Sequence, residues 1–282
     1  MPDSDTNAAI PPLPPSRIFA FLLDRRRTAR IISLTWPILV ATVVQSLFTL
    51  VDLAFVGSLG KIATGALGLG AYLFSTALAI LVGFSTGVQA LSAEATGRDD
   101  PTGIEAALKA GIISCAIGAV GIAALLVALS KPLFGVLASD PIVAAEAASY
   151  FAIRILGLPA LAINGAFRGY WKGVSRPSVY TRILILTLAL NILFDWLLIF
   201  GKFGFPAMGL TGAAVGFVLA TMIGMLTYFA AWRIARRPAA AGPLFNLPML
   251  KEMFGRSLPA GLQQLIAVLS FPALLYIMGR LG

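Results

Sequence analysis

The chain has 282 residues, 59% of them hydrophobic and 12% charged, with a formal charge of +9 and a mean hydropathy of +0.91. That much apolar surface cannot be hidden inside an ordinary soluble domain, so the composition implies an integral membrane protein. With no histidine and one cysteine, Cys115, the sequence excludes disulfide frameworks, thiolate or imidazole metal centres and most nucleophile–base pairs, and it reads as a non-enzyme without a cofactor.

Residues 1–30 form the expected cytoplasmic N-terminus. Met1 to Ser16 is polar and proline-rich and has no apolar face to bury, which predicts a disordered tail. Ile18 to Arg30 mixes apolar residues with Arg25, Arg26 and Arg27, the pattern of a short amphipathic helix at a membrane surface.

Seven apolar runs follow: Ile31 to Val56, Ala66 to Leu91, Ala106 to Leu129, Ala147 to Phe167, Val179 to Phe200, Gly209 to Trp232, and Leu258 to Met278. Each is close to the roughly twenty residues of a helical span. Breaks rich in Gly, Pro or charge separate them, including Gly97 to Pro101, Lys131-Pro132, Ser139-Asp140-Pro141 and Arg176-Pro177. The basic residues fall mostly on one side: Arg98, Lys109, Arg168, Lys172, Arg176, Arg182, Arg233 and Arg256 follow the N-terminal cluster, against Lys61, Lys131, Lys202 and Arg280 opposite. This asymmetry predicts a multi-pass protein of the cell membrane with its N-terminus cytoplasmic, and makes the charge a topology signal rather than a nucleic-acid footprint.

The first run returns at the end of the chain. Aligned without a gap, Leu34 to Gly60 falls on Arg256 to Gly282, with Pro37 on Pro259, Leu47 on Leu269 and Gly57 on Gly279. Such a repeat predicts an all-α, polytopic fold of two lobes. Residues 31–232 would be one six-helix lobe, 233–257 a cytoplasmic linker, and 258–282 the first helix of a second lobe that is incomplete. Within the sixth run Gly212, Gly216, Ala220 and Gly224 recur every four residues, and Gly83 and Gly87 do so in the second, marking faces where helix backbones approach closely.

Acids inside spans are costly in lipid and by default mark functional sites. Asp52 lies near the outer end of the first run and Asp195 near the outer end of the fifth, with Asn191 one turn below Asp195 on the same face. Two acids and an amide in low dielectric can share a proton or offer hard oxygen ligands to a small cation such as sodium. The plainer alternative is that each acid pairs with a basic or hydroxyl group to hold helices together, against which no Lys or Arg occurs at that depth in the first, fifth or sixth runs. Arg154, in the fourth run, is expected to snorkel outward or pair with Glu146 or a carbonyl. Glu94, Asp99, Asp100 and Glu105 are expected to be solvated. Gln45 and Gln263-Gln264 either line a cavity or bond across helices, and Pro37 and Pro259 are expected to kink their helices.

As a set these residues resemble the multidrug and toxic compound extrusion (MATE) transporters. The resemblance rests on Pro37 followed by Gln45 and Val51-Asp52-Leu53-Ala54-Phe55-Val56-Gly57, on Arg168-Gly169 with Gly173 and Pro177, on Asn191-Ile192-Leu193-Phe194-Asp195, and on Gly212-Ala213-Ala214. It implies a twelve-helix exporter, a monomer when complete, that expels amphipathic, often cationic compounds in exchange for sodium or protons. Carried over, Asp52, Asn191 and Asp195 would form the cation or proton site, and Pro37 would bend the first helix. A hydroxyl that some members supply from the sixth helix falls on Phe217, leaving Thr211 as a possible substitute, and an acid of the seventh helix falls on Ala267. The first departure argues against a complete four-ligand sodium site, and the second leans toward the branch named for DNA-damage-inducible members. Two other readings are a lipid-linked oligosaccharide flippase of the same superfamily, disfavoured because Arg154 is the only basic candidate for the cavity, and a non-transporting membrane fragment or scaffold.

Overall fold

A computed structural model describes residues 25–235 and 247–281. Its helices are α1 (Arg25–Gly57), α2 (Lys61–Gly97), α3 (Pro101–Leu137), α4 (Pro141–Arg154), α5 (Leu158–Gly173), α6 (Pro177–Phe200), α7 (Leu210–Ala235) and α8 (Leu247–Leu281). A one-turn 3-10 segment, Ile155–Gly157, joins α4 to α5, so that these two make one crossing. Six crossings among the described residues are long and apolar enough to span a membrane. We call the end of the bundle where α1 begins the near end, and the other the far end.

Local chemistry sets the turns. Asp100 accepts from the backbone of Thr102 and Gly103 ahead of Pro101, and Asp140 accepts from Ile142 ahead of Pro141, so the predicted breaks at these sites are capped helix starts. At Lys131-Pro132 the expected break is absent. Helix α3 runs through Pro132 to Leu137, since one missing N–H near a helix end forfeits a single bond. The fourth crossing also exceeds its predicted bounds, running from Pro141 to Gly173, so Arg168 and Lys172 belong to a helix rather than to a loop. Likewise α1 is continuous from Arg25, so Arg25 to Arg30 extends the first crossing; the expectations for residues 1–24 lie outside the described residues.

The core is held by close backbone approaches. A Cβ on Gly212 would lie 2.7 Å from the Leu198 carbonyl oxygen, and one on Gly216 2.6 Å from Asp195 Oδ1, so the predicted stripe is the contact between α7 and α6. Gly83 and Gly87 serve α8 in the same way: their Cβ positions would meet the Ser257 carbonyl at 2.3 Å and its hydroxyl at 2.2 Å. Large apolar side chains such as Ile31, Trp36, Val43, Ile117, Leu125 and Leu226 face outward, as a lipid solvent permits.

Candidate functional site

Three helices bring charge together inside the bundle. Asp52, on the last two turns of α1, is 6% exposed, and its Oδ2 accepts from Arg154 Nη1 at 3.0 Å. The same nitrogen donates to the Tyr150 hydroxyl one turn earlier on α4. The guanidinium carbon stands 4.0 Å from the centroid of Phe217, 5.3 Å from that of Phe74 and 5.5 Å from that of Tyr150. An aromatic cage and a carboxylate thus replace the water that a buried cation would otherwise need.

Asp195, fully buried on α6, is close enough to Asp52 and Arg154 to feel their charges. Gly216 makes its place, because any side chain there would collide with Asp195 Oδ1. Asp52 Oδ1, both oxygens of Asp195 and both amide atoms of Asn191 have no hydrogen-bond partner. Carboxylates only accept, so two facing each other cannot satisfy one another without a proton or a cation between them.

The cluster opens onto a cavity of about 480 Å³ whose wall includes Asp52, Arg154, Gln45, Phe74, Phe217 and Asn164. A second chamber of about 180 Å³ shares Gln45, Leu78, Leu161 and Arg168 with it and continues to Lys172 and Tyr180. The structure therefore places Asp52 and Gln45 on the cavity wall. Asn191 and Asp195 sit behind that wall rather than on it. Thr211 does not line it either; Gly216, five residues on, is what touches Asp195. Pro37 leaves α1 continuous, and its carbonyl accepts from the Thr181 hydroxyl of α6 at 2.9 Å.

Several expectations need correction. Arg154 neither snorkels nor pairs with Glu146, which is exposed; the fourth crossing, not the first, fifth or sixth, delivers the cation to Asp52. Glu94 is exposed as expected, though paired with Arg98 at 2.7 Å and with Arg256 of α8 at 2.8 Å, whereas Glu105 is not solvated but buried beside Lys109. Arg154 is joined on the cavity wall by Arg168, and Lys172 lines the second chamber, so the basic lining is richer than the single residue expected. Tyr150, Asn164, Thr187 and Thr221 were not singled out from sequence. Asn164 donates to the Thr221 carbonyl at 3.1 Å, tying α5 to α7 beside the cavity, and a lone Asn among apolar residues was the available signal.

An all-helical polytopic membrane protein with an ionic cluster at an internal cavity is the class that fold and site define. A family model described as MatE matches residues 37–197, and the chain belongs to that family, the MATE transporters. It is 29% identical over 257 residues to a probable multidrug resistance protein NorM of Agrobacterium fabrum, covering 87% of this chain and 54% of that protein. A NorM of the same description from Neisseria meningitidis is 25% identical, covering 94% of this chain and 59% of its own length. The solved outward-facing conformation of a multidrug resistance MATE transporter of the MOP superfamily aligns with a TM-score of 0.76 at 23% identity, covering 86% of this chain and 54% of that one. The chain thus spans between half and three fifths of the length of these relatives.

Proposed function

We propose that this chain supplies the cation-coupling lobe, residues 31–232, of a secondary exporter that expels amphipathic drug-like compounds in exchange for a proton. Residues 258–282 begin the second lobe in this reading, and the near end faces the cytoplasm, where Arg98, Arg176, Arg233 and Arg256 gather. The observation that carries it is the Asp52–Arg154 pair on the wall of a largely apolar cavity, with the unpartnered carboxylate of Asp195 buried behind it. Two carboxylates and one guanidinium leave one negative charge uncompensated, so a single monovalent cation neutralises the cluster. A proton fits better than sodium for two reasons. Arg154 already holds one oxygen, and Phe217 presents a ring face where a hydroxyl ligand would be needed.

The test is export of a fluorescent amphipathic dye by everted vesicles carrying the full-length protein. Asp52→Asn should abolish export at wild-type levels of membrane insertion, and dissipating the pH gradient should do the same to the unaltered protein. Undiminished export by the Asn variant overturns the site. Export that follows a sodium gradient instead would keep the site and replace the proton.

The flippase reading gains one specific observation, because Arg168 and Lys172 line the chambers with Arg154. It predicts transbilayer movement of a pyrophosphate-linked lipid in reconstituted vesicles, with no dependence on a cation gradient.

A further inference from the structure

The charged side chains lining the two chambers, among the described residues, are Asp52, Arg154, Arg168 and Lys172. Asp52 and Arg154 cancel each other in a buried pair. Arg168 and Lys172 are one turn apart on α5 and so share a face, which looks into the chambers. Neither forms an ion pair with an acid of the described residues. The lining therefore carries two uncompensated positive charges, both toward the near end.

Topology alone does not explain them. Arg182 and Arg233, which serve the same near-end charge balance, stand exposed on the outside of their helices, whereas Arg168 and Lys172 are half-buried against the cavity. Lys172 Nζ stands 5.3 Å from the Tyr180 ring centroid, which holds the ammonium within the lower chamber rather than extended to the surface. Above them the wall turns apolar, with Phe48, Leu53, Leu67, Phe74 and Leu184.

From this arrangement we infer that the lower chamber is an anion subsite, which takes the carboxylate, sulfonate or phosphate of an amphipathic compound whose apolar body fills the upper chamber. The inference rests on the export reading for its consequence, because it names the class of compound moved; the site itself is testable by binding alone. An organic cation would find its only acidic partner, Asp52, already engaged by Arg154, and would meet repulsion from Arg168 and Lys172. A carboxylate would gain charge-assisted hydrogen bonds from a forked and a pointed donor together.

The experiment compares three pyrene probes with one apolar body: pyrenebutyrate, its neutral amide, and the trimethylammonium analogue. Binding is read by energy transfer from tryptophan to pyrene, with this chain in phosphatidylcholine nanodiscs. The butyrate should bind about tenfold or more tighter than the amide, and the ammonium weakest, as a charge-assisted contact in a partly desolvated site implies. Lys172→Gln should remove most of that preference and Lys172→Arg should restore it, while Lys202→Gln at the far end leaves it unchanged. If Arg168→Gln fails to fold, the Lys172 series still decides. Equal or tighter binding of the ammonium probe, or a butyrate preference untouched by Lys172→Gln, overturns the subsite. Loss of butyrate binding in phosphatidylglycerol nanodiscs supports the same site with a lipid phosphate as its occupant. Failure of dye export with intact butyrate binding would refute the transport reading and leave the subsite standing.

Discussion

The upper and lower chambers of the cavity handle charge in opposite ways. At the upper one the cation is answered within the bundle, since Asp52 meets Arg154 and Arg154 meets Tyr150 and the ring of Phe217, and only the buried carboxylate of Asp195 is left over. At the lower one Arg168 and Lys172 pair with no acid among the described residues; Lys172 stands over the ring of Tyr180, and the chamber lies between α1, α2, α5 and α6. Buried charge that is matched to within one carboxylate serves a switch, since a single proton completes its balance. Charge that is left unmatched serves a ligand, since only an incoming group completes it.

Removing the cation from the upper chamber breaks the contrast most severely. Arg154→Gln would leave the buried acids Asp52 and Asp195 without their cation, and losing one partner of a buried pair costs about 3–5 kcal/mol. The expected outcome is a large fall in the midpoint of thermal unfolding in detergent. Because Asp52 would be the stranded partner, Arg154→Gln combined with Asp52→Asn should recover most of the loss. A double-mutant cycle showing simple additivity would mean that the pair at 3.0 Å carries little coupling.

A smaller effect is expected from Gly216→Ala, which sharpens the contrast by moving one member of the upper cluster without altering any charge. Its Cβ would sit 2.6 Å from Asp195 Oδ1 and 3.2 Å from Phe194 Cβ. Overpacking of this kind costs about 1–3 kcal/mol. Helix α7 must withdraw from α6 or Asp195 must turn, and either change should alter dye export more than pyrenebutyrate binding, because the lower chamber is untouched.

The legibility of these features from sequence divides along the same line. Hydropathy and punctuation marked the crossings because a span of α-helix in lipid has to be long and apolar, and the stripe Gly212, Gly216, Ala220, Gly224 marked its partner helix because only small residues let backbones touch. Asp52 and Asp195 stood out because an acid in such a span has no neutral explanation. Arg154 stood out equally, yet its partner did not. Asp52 is 102 residues away, and nothing local in α4 distinguishes an arginine pointing inward from one reaching to the lipid surface. The same ambiguity hid Arg168 and Lys172, whose position near a crossing's end is what a topology signal looks like. Orientation around a helix axis depends on the neighbours, and the one-turn 3-10 segment Ile155–Gly157 between α4 and α5 is marked only by Gly157 and Pro159, residues that a membrane helix also tolerates without a break.

The smallest effect belongs outside both chambers and serves as their control. Asp100, in the turn between α2 and α3, caps α3: its Oδ1 accepts from the Thr102 hydroxyl at 2.6 Å and from the backbone of Thr102 at 3.1 Å and Gly103 at 3.0 Å. The Thr102 hydroxyl first, and then the Gly103 amide, hold its carboxyl below the ordinary carboxylate range. A group whose pKa is lowered on folding contributes stability that is complete above its unfolded value and is lost as pH falls through the folded one. Asp100→Ala should therefore lower the unfolding midpoint modestly at neutral pH, and the gap from wild type should close as the solution is acidified below the usual carboxylate range. Binding of pyrenebutyrate and the dye-export rate should not change. A cap effect that persists undiminished in acid would show that the Asp100 carboxylate charge contributes nothing to the start of α3, and a change in export would show that this turn is coupled to the chambers.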